Sequence, residues 1–249
     1  MRRLGLIGGT GLDEWGVEGT PQMVSSQYGR PSANPVELRL QNLQLFFMPR
    51  HGGKHQIPPH AVNYRANIDV FSQLQLDGII AVNAVGGISE RFTPGSLAVP
   101  DQLIDYTWGR QHSFSLTSDD ELQHVEFASP FDSRMRSLLL ASAKLAGINI
   151  TDGGCVAVSQ GPRLETAAEI GRLHRDGCDM VGMTSMPEAA LAREAGLAYA
   201  SLCINSNWAA GVQAEPVSMA AIEATLASAM ENVRKLLAQL FKEFSNDPT

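Results

Sequence analysis

Gly78-Ile79-Ile80-Ala81-Val82-Asn83-Ala84-Val85-Gly86-Gly87-Ile88 begins as an unbroken apolar run, admits one amide at Asn83 and closes on a glycine pair. Residues 78–83 read as a strand buried on both faces, because a strand with one wet face would alternate apolar and polar side chains. Ending such a strand in Gly-Gly puts Asn83 and the neighbouring backbone amides at the carboxyl edge of a sheet. Open α/β sheets bind their ligands there, and glycine lets a ligand approach the backbone closely.

Outward from this strand, short apolar runs bounded by Gly or Pro predict further strands at 3–7, 36–40, 43–48, 96–99, 156–159, 179–183 and 197–204. Helical periodicity covers 61–76, 132–146, 165–176, 187–195 and 218–244. The alternation predicts the α/β class, a three-layer α/β/α arrangement around a mixed, largely parallel central sheet. Residues 105–130 lack a clear period and carry Asp119-Asp120-Glu121, which marks a long functional loop or arm. The sequence has no internal repeat and no low-complexity tract.

A chain of 249 residues, 44% of them hydrophobic, can bury a sizeable core as one domain spanning 1–249. Nineteen Lys and Arg face 26 Asp and Glu, with no basic run, so no nucleic-acid partner is expected and any anion must bind locally. The first strand, Arg3-Leu4-Gly5-Leu6-Ile7, runs straight into Gly8-Gly9-Thr10-Gly11 and Asp13-Glu14, unlike a secretory leader. No apolar segment approaches the roughly 18–20 residues a membrane helix requires, so a soluble, cytoplasmic protein without a membrane partner is expected. Cys155, Cys178 and Cys203 are unevenly spaced, with no CxxC and no nearby His pair. They read as buried thiols in a reducing compartment, and neither a metal nor an organic cofactor is expected.

Five further segments are able to carry chemistry. Gly8-Gly9-Thr10-Gly11 follows the first strand and could offer uncrowded N–H groups to an anion, or serve as a plain turn. It lacks the third glycine of a dinucleotide fingerprint and the Lys-Ser/Thr of a P-loop, which argues against NAD and ATP. Arg50-His51-Gly52-Gly53-Lys54-His55 supplies a planar fork for phosphate oxygens and imidazole donors, the alternative being a solvated basic loop. Gly161-Pro162-Arg163-Leu164-Glu165-Thr166 puts a carboxylate at a helix opening, where the simplest reason is the helix dipole. Val181-Gly182-Met183-Thr184-Ser185-Met186-Pro187-Glu188 runs from a strand into a Pro-started helix, with its methionines readable as core, and Asn205-Ser206-Asn207-Trp208 follows the final strand.

In this order the segments resemble the methylthioadenosine phosphorylase branch of the trimeric purine nucleoside phosphorylase family, over nearly the whole chain. The anchors are Gly8-Gly9-Thr10-Gly11, Arg50-His51-Gly52, Val62-Asn63-Tyr64, Gly161-Pro162-Arg163 and Gly182-Met183-Thr184 with Pro187-Glu188. The resemblance implies that Thr10, Arg50, His51, Asn83, Ala84 and Thr184 surround phosphate, that Met183 lies against a ribose, and that His55 sits near the sugar's 5′ end. It also implies a homotrimer in which His124 is lent to a neighbouring subunit's site. Inorganic phosphate is then a co-substrate that attacks the anomeric carbon as the purine leaves, through a sugar with oxocarbenium character.

The chain departs from that branch where the base is read. In place of two acidic residues separated by one residue it has Asn207 and Ala209, and in place of a small hydroxyl residue it has Glu165, next to Leu164. Glu with Asn resembles the pairing of 6-oxopurine phosphorylases. A carboxylate at Glu165 accepts the N1–H of hypoxanthine or guanine but faces the acceptor N1 of adenine unfavourably, while Asn207 can donate to O6 and accept N7–H. Where inosine and guanosine enzymes place a His for the 5′-hydroxyl, Met219 stands near Val217 and Ile222, an apolar wall suited to a methylthio group. The expected reaction is phosphorolysis of methylthioinosine, with Glu165, Asn207, Arg50 and His51 carrying catalysis. The alternatives are a general inosine/guanosine phosphorylase, a methylthioadenosine phosphorylase, and a nucleoside-binding sensor without activity.

Overall fold

A computed structural model describes residues 1–12, 19–40, 42–115, 122–214 and 217–246. In chain order the elements are β1 (Arg2–Gly8), β2 (Thr20–Pro21), β3 (Val36–Leu40), β4 (Leu43–Pro49), α1 (Tyr64–Gln73), β5 (Gly78–Gly87), β6 (Leu97–Val99), β7 (Gln102–Asp105), α2 (Ser133–Leu145), β8 (Ile150–Asp152), β9 (Cys155–Val158), α3 (Ala167–Arg175), β10 (Met180–Gly182), α4 (Ser185–Glu194), β11 (Tyr199–Trp208) and α5 (Met219–Asn246). All the strands belong to one mixed sheet. The β1–β4, β1–β5, β5–β11, β9–β10, β7–β9 and β6–β8 pairs are parallel; β2–β3, β3–β4, β5–β10 and β6–β11 are antiparallel.

Alternating side chains send each strand into two cores. Leu4, Leu6, Ile80 and Val82 meet α2 and α5 on one face. Ile7, Ile79, Ala81 and Val85 meet α1 and α4 on the other. A smaller cluster joins Ile170 and Leu173 of α3 to Ala157 and Val181. This is the expected three-layer α/β/α arrangement. In α5, Val233, Leu236, Leu237, Leu240 and Phe244 are fully buried, each contributing about 1.5–3 kcal/mol over an exposed side chain. No helix among the described residues is long and apolar enough to cross a membrane.

Several boundaries differ from the sequence reading. Strand β5 continues through the glycine pair to Gly87 instead of stopping at Asn83, because β11 pairs along it as far as Trp208. Gly87 is needed inside the protein: a Cβ there would lie 1.9 Å from Phe92 O. β11 itself includes Asn205-Ser206-Asn207-Trp208, expected after the strand, with a bulge between Asn205 and Asn207. Helix α1 starts at Tyr64, since the Asn63 side chain caps Ala66 N and Pro59–Ala61 form a separate turn. Gln102–Asp105 forms strand β7 at the sheet edge just before the arm, and the centre of that arm, 116–121, lies outside the described residues.

β5 positions the site. β11 follows one edge of β5 from Ile79 to Gly87, while the other edge carries β1 at Gly78–Ala81 and then β10 at Gly86–Gly87. Between them, residues 82–85 have no strand partner on that edge among the described residues. The sheet divides there, and the ends of β1, β4, β10 and β11 converge around the opening.

Candidate active site

A cavity of about 560 Å³ occupies this opening. Thr10, Arg50, His51, His55, Ala84, Leu164, Glu165, Met183, Thr184, Asn207, Val217 and Met219 all line it. Asn83 and His124 do not. Asn83 lies behind the wall, where its Oδ1 accepts from Thr184 Oγ1 at 2.9 Å and its Nδ2 donates to Ser201 Oγ at 2.6 Å. His124 is exposed on the arm, away from the cavity lining of its own chain.

At one end stands Arg50, delivered by the end of β4 and completely buried. Its Nε and Nη2 donate to the two oxygens of Glu188 at 2.7 and 2.8 Å, and Nη1 donates to Val82 O at 3.2 Å on the open edge of β5. Among the described residues three of the five guanidinium N–H groups are thus engaged, which leaves donor capacity for an anion. Burial disfavours the charge, but the Glu188 carboxylate outweighs it and holds the guanidinium pKa above its ordinary value. Tyr199 donates its hydroxyl to the same carboxylate at 2.8 Å. Gly9 is required beside this pair: a Cβ would lie 2.5 Å from Val82 O and 2.9 Å from Arg50 Nη1.

His51 Nδ1 is 2.7 Å from Ile57 O, and because a carbonyl only accepts, Nδ1 carries the proton. Nε2 is then an acceptor in the neutral ring and a donor after protonation. The His55 ring packs against it at 4.5 Å between centroids, with His55 at φ 51°. Thr184 precedes α4 without capping it through its side chain, which donates to Asn83 instead. Met186 departs from helical geometry within α4, as expected of a residue before proline.

The other end of the cavity carries Glu165 and Asn207. α3 begins at Ala167, with Thr166 as N-cap and Glu169 completing a reciprocal capping box. The dipole explanation given above for Glu165 therefore belongs to Glu169, and Glu165, outside the helix, turns to the cavity wall. Its Oε1 accepts from Ser159 Oγ at 2.5 Å. The bulge in β11 presents Asn207, whose Oδ1 accepts from Ser206 Oγ at 2.7 Å and whose Nδ2 donates to Trp208 O at 2.7 Å. Val181, Ala209 and Ala210 line this end with apolar surface. Met219, 60% exposed, stands at the first turn of α5 beside Val217.

The arrangement joins an end where buried Arg50 and His51 can meet an anion to an end where a carboxylate and an amide offer an acceptor and a mixed donor–acceptor edge. A model of the phosphorylase superfamily matches residues 3–242. The chain belongs to the phosphorylase superfamily. Among its relatives, a probable S-methyl-5′-thioinosine phosphorylase of Xanthomonas campestris is 47% identical over 241 residues, covering 95% of this chain and 96% of the relative. One of the same description from Xylella fastidiosa is 46% identical over 244 residues, covering 96% and 98%. The methylthioadenosine phosphorylase of Schistosoma mansoni, solved in complex with adenine, superposes with a TM-score of 0.94 at 31% identity, covering all of this chain and 93% of that one.

Within this phosphorylase fold, sequence reasoning missed two residues behind the wall. Glu188 stands in a segment the sequence singled out, yet its pairing with Arg50 spans 138 positions and leaves no local trace. Ser159 appears in the sequence only as the end of an apolar strand. The capping box Thr166-x-x-Glu169, by contrast, was available as a signal that α3 starts after Glu165.

Proposed function

We propose that the chain catalyses phosphorolysis of S-methyl-5′-thioinosine. A phosphate oxygen forms the new bond to the anomeric carbon, the bond from that carbon to purine N9 breaks, and its electron pair leaves with the base, which takes up a proton from solvent at N7. Hypoxanthine and 5-methylthioribose 1-phosphate are the products. The observation that carries the reading is the shared cavity, with Arg50, His51 and Thr184 at one end and Glu165 with Asn207 at the other. The first group suits an anion held beneath a ribose. The second suits a base whose N1 bears hydrogen and whose ring gains electron density as it departs. Names of relatives at 46–47% identity agree with this reaction.

In this reading Asn207 donates to O6 or accepts N7–H of the leaving purine, and Met183 packs against the ribose. Asn83 acts on phosphate through Thr184, which it touches directly. The protein works as a cytoplasmic homotrimer, and His124 serves a neighbouring subunit's site. Phosphate is a co-substrate, and no cofactor takes part.

Purified protein given either methylthioinosine or methylthioadenosine tests the substrate. The proposal expects phosphate-dependent release of hypoxanthine to exceed release of adenine, and faster adenine release would overturn it. A second reading, a general inosine or guanosine phosphorylase, draws on the exposed position of Met219 at the cavity rim. Met219→His supplies a donor for a 5′-hydroxyl, so it should raise activity on inosine relative to methylthioinosine; an unchanged ratio contradicts the apolar 5′ pocket.

A further inference from the structure

Glu165 lies outside α3, so no helix geometry fixes its carboxylate. Its orientation comes from Ser159, which donates Oγ–H to Oε1 at 2.5 Å from the position just after β9. A hydroxyl that donates requires an accepting carboxylate oxygen, and it leaves Oε2 for a ligand. Ser159 is held in turn: its N–H donates to Gly182 O at 2.8 Å, and its carbonyl lies 3.4 Å from Arg110 Nη2.

Arg110 comes from the aperiodic arm and reaches both halves of the site. Its Nη2 donates to Gln160 O at 2.7 Å and its Nε to Gln160 Oε1 at 3.2 Å. Its Nη1 donates to Met183 O at 2.8 Å and Met186 O at 2.6 Å, and lies 3.4 Å from Tyr64 Oη. The guanidinium also rests 5.5 Å from the centroid of the Tyr64 ring. All of these hydrogen-bond acceptors are neutral oxygens, and burial lowers the Arg110 pKa from its ordinary value. A half-buried cation without a hydrogen-bonded carboxylate is costly unless its donors are used, and all five N–H groups have an acceptor here. The planar fork places five N–H groups on acceptors of two segments at once; an ammonium, with three donors from one nitrogen, cannot fill all of these positions.

We infer that Arg110 and Ser159 are positioning residues for purine selectivity: Arg110 clamps the 159–160 segment to the 183–186 segment, and Ser159 fixes the Glu165 carboxylate toward the base. The inference rests on the reading of Glu165 as the group that meets purine N1–H.

The test measures kcat/KM for methylthioinosine and methylthioadenosine, with KM for phosphate, in the full-length protein carrying Ser159→Ala, Ser159→Thr, Arg110→Lys, Glu165→Gln or the double change S159A/E165Q. Ser159→Ala should lower kcat/KM for methylthioinosine about tenfold, mainly through KM, and leave phosphate KM within about twofold. The preference for methylthioinosine falls accordingly, and Ser159→Thr restores most of it. Arg110→Lys should shift the same ratio in the same direction. In the double variant the Ser159 change should have no further effect, because it acts only through the carboxylate. An unchanged ratio in Ser159→Ala and Arg110→Lys, or equal losses on both substrates, overturns the inference. If Glu165→Gln itself leaves the ratio unchanged, the reading of Glu165 fails; if it shifts the ratio while the other two do not, only the positioning role fails.

Discussion

Glu188 grips Arg50 through both carboxylate oxygens, accepting from Nε at 2.7 Å and from Nη2 at 2.8 Å, with both residues excluded from water. The pair ties the end of β4 to α4 and aims the remaining guanidinium N–H groups along the open edge of β5. Its two charges largely cancel, so an anion at this end is held by directed hydrogen bonds more than by net charge. Removing one partner leaves the other charged and buried. Glu188→Ala should therefore cost about 3–5 kcal/mol of stability in urea denaturation and raise KM for phosphate. A variant as stable as the native protein contradicts this role for the pair.

Gly161 sits at φ 61°, where a Cβ would lie 2.5 Å from Met183 Sδ and 3.4 Å from Pro59 Cγ. Alanine there is strained by about 1–2 kcal/mol and displaces the Met183 side chain from the cavity wall. Gly161→Ala should raise KM for the nucleoside severalfold with little change in KM for phosphate. An equal rise in both would show that the loop does not shape the sugar side selectively.

Glu169 accepts from Arg163 Nη1 and Nη2 at 2.8 and 2.7 Å and from Thr166 N at 2.7 Å, and these bonds, with the guanidinium charge, lower its pKa to about 2. A carboxylate depressed on folding contributes stability above its ordinary value of 4.5, and that contribution fades as pH falls from there toward about 2. The side chain is 43% exposed, so solvent screening keeps the effect on stability small, but carboxyl titration by NMR should find Glu169 still ionised at pH near 3. Arg163→Ala should return it toward the ordinary range; an unmoved titration would mean that the capping bonds alone set it.

The middles of the strands were legible because apolar runs such as Gly78–Val82 admit few other structures in a chain of this size. Their ends were not. β5 continues through Gly86-Gly87 and β11 through Asn205–Trp208, because ladder bonds from the neighbouring strand hold these residues whatever their own preference. The site sits on those continuations, so the sequence placed Asn207 in the correct region but on a loop. Of the residues expected to surround phosphate, Asn83 lies one layer behind, since its amide is consumed by Thr184 and Ser201. Arg110 was unreadable: it stands in an aperiodic stretch, and four of its partners are backbone carbonyls, which no residue type announces.

The central claim is that the Glu165 side chain, by accepting a hydrogen bond, selects a purine with hydrogen on N1. The most direct measurement is the ratio of kcat/KM for methylthioinosine to that for methylthioadenosine, in the native enzyme and in Glu165→Gln. An amide can offer its NH₂ to the acceptor N1 of adenine, so the ratio should favour methylthioinosine in the native enzyme and fall by about 10² or more in the variant. A ratio that stays the same after the change contradicts the account.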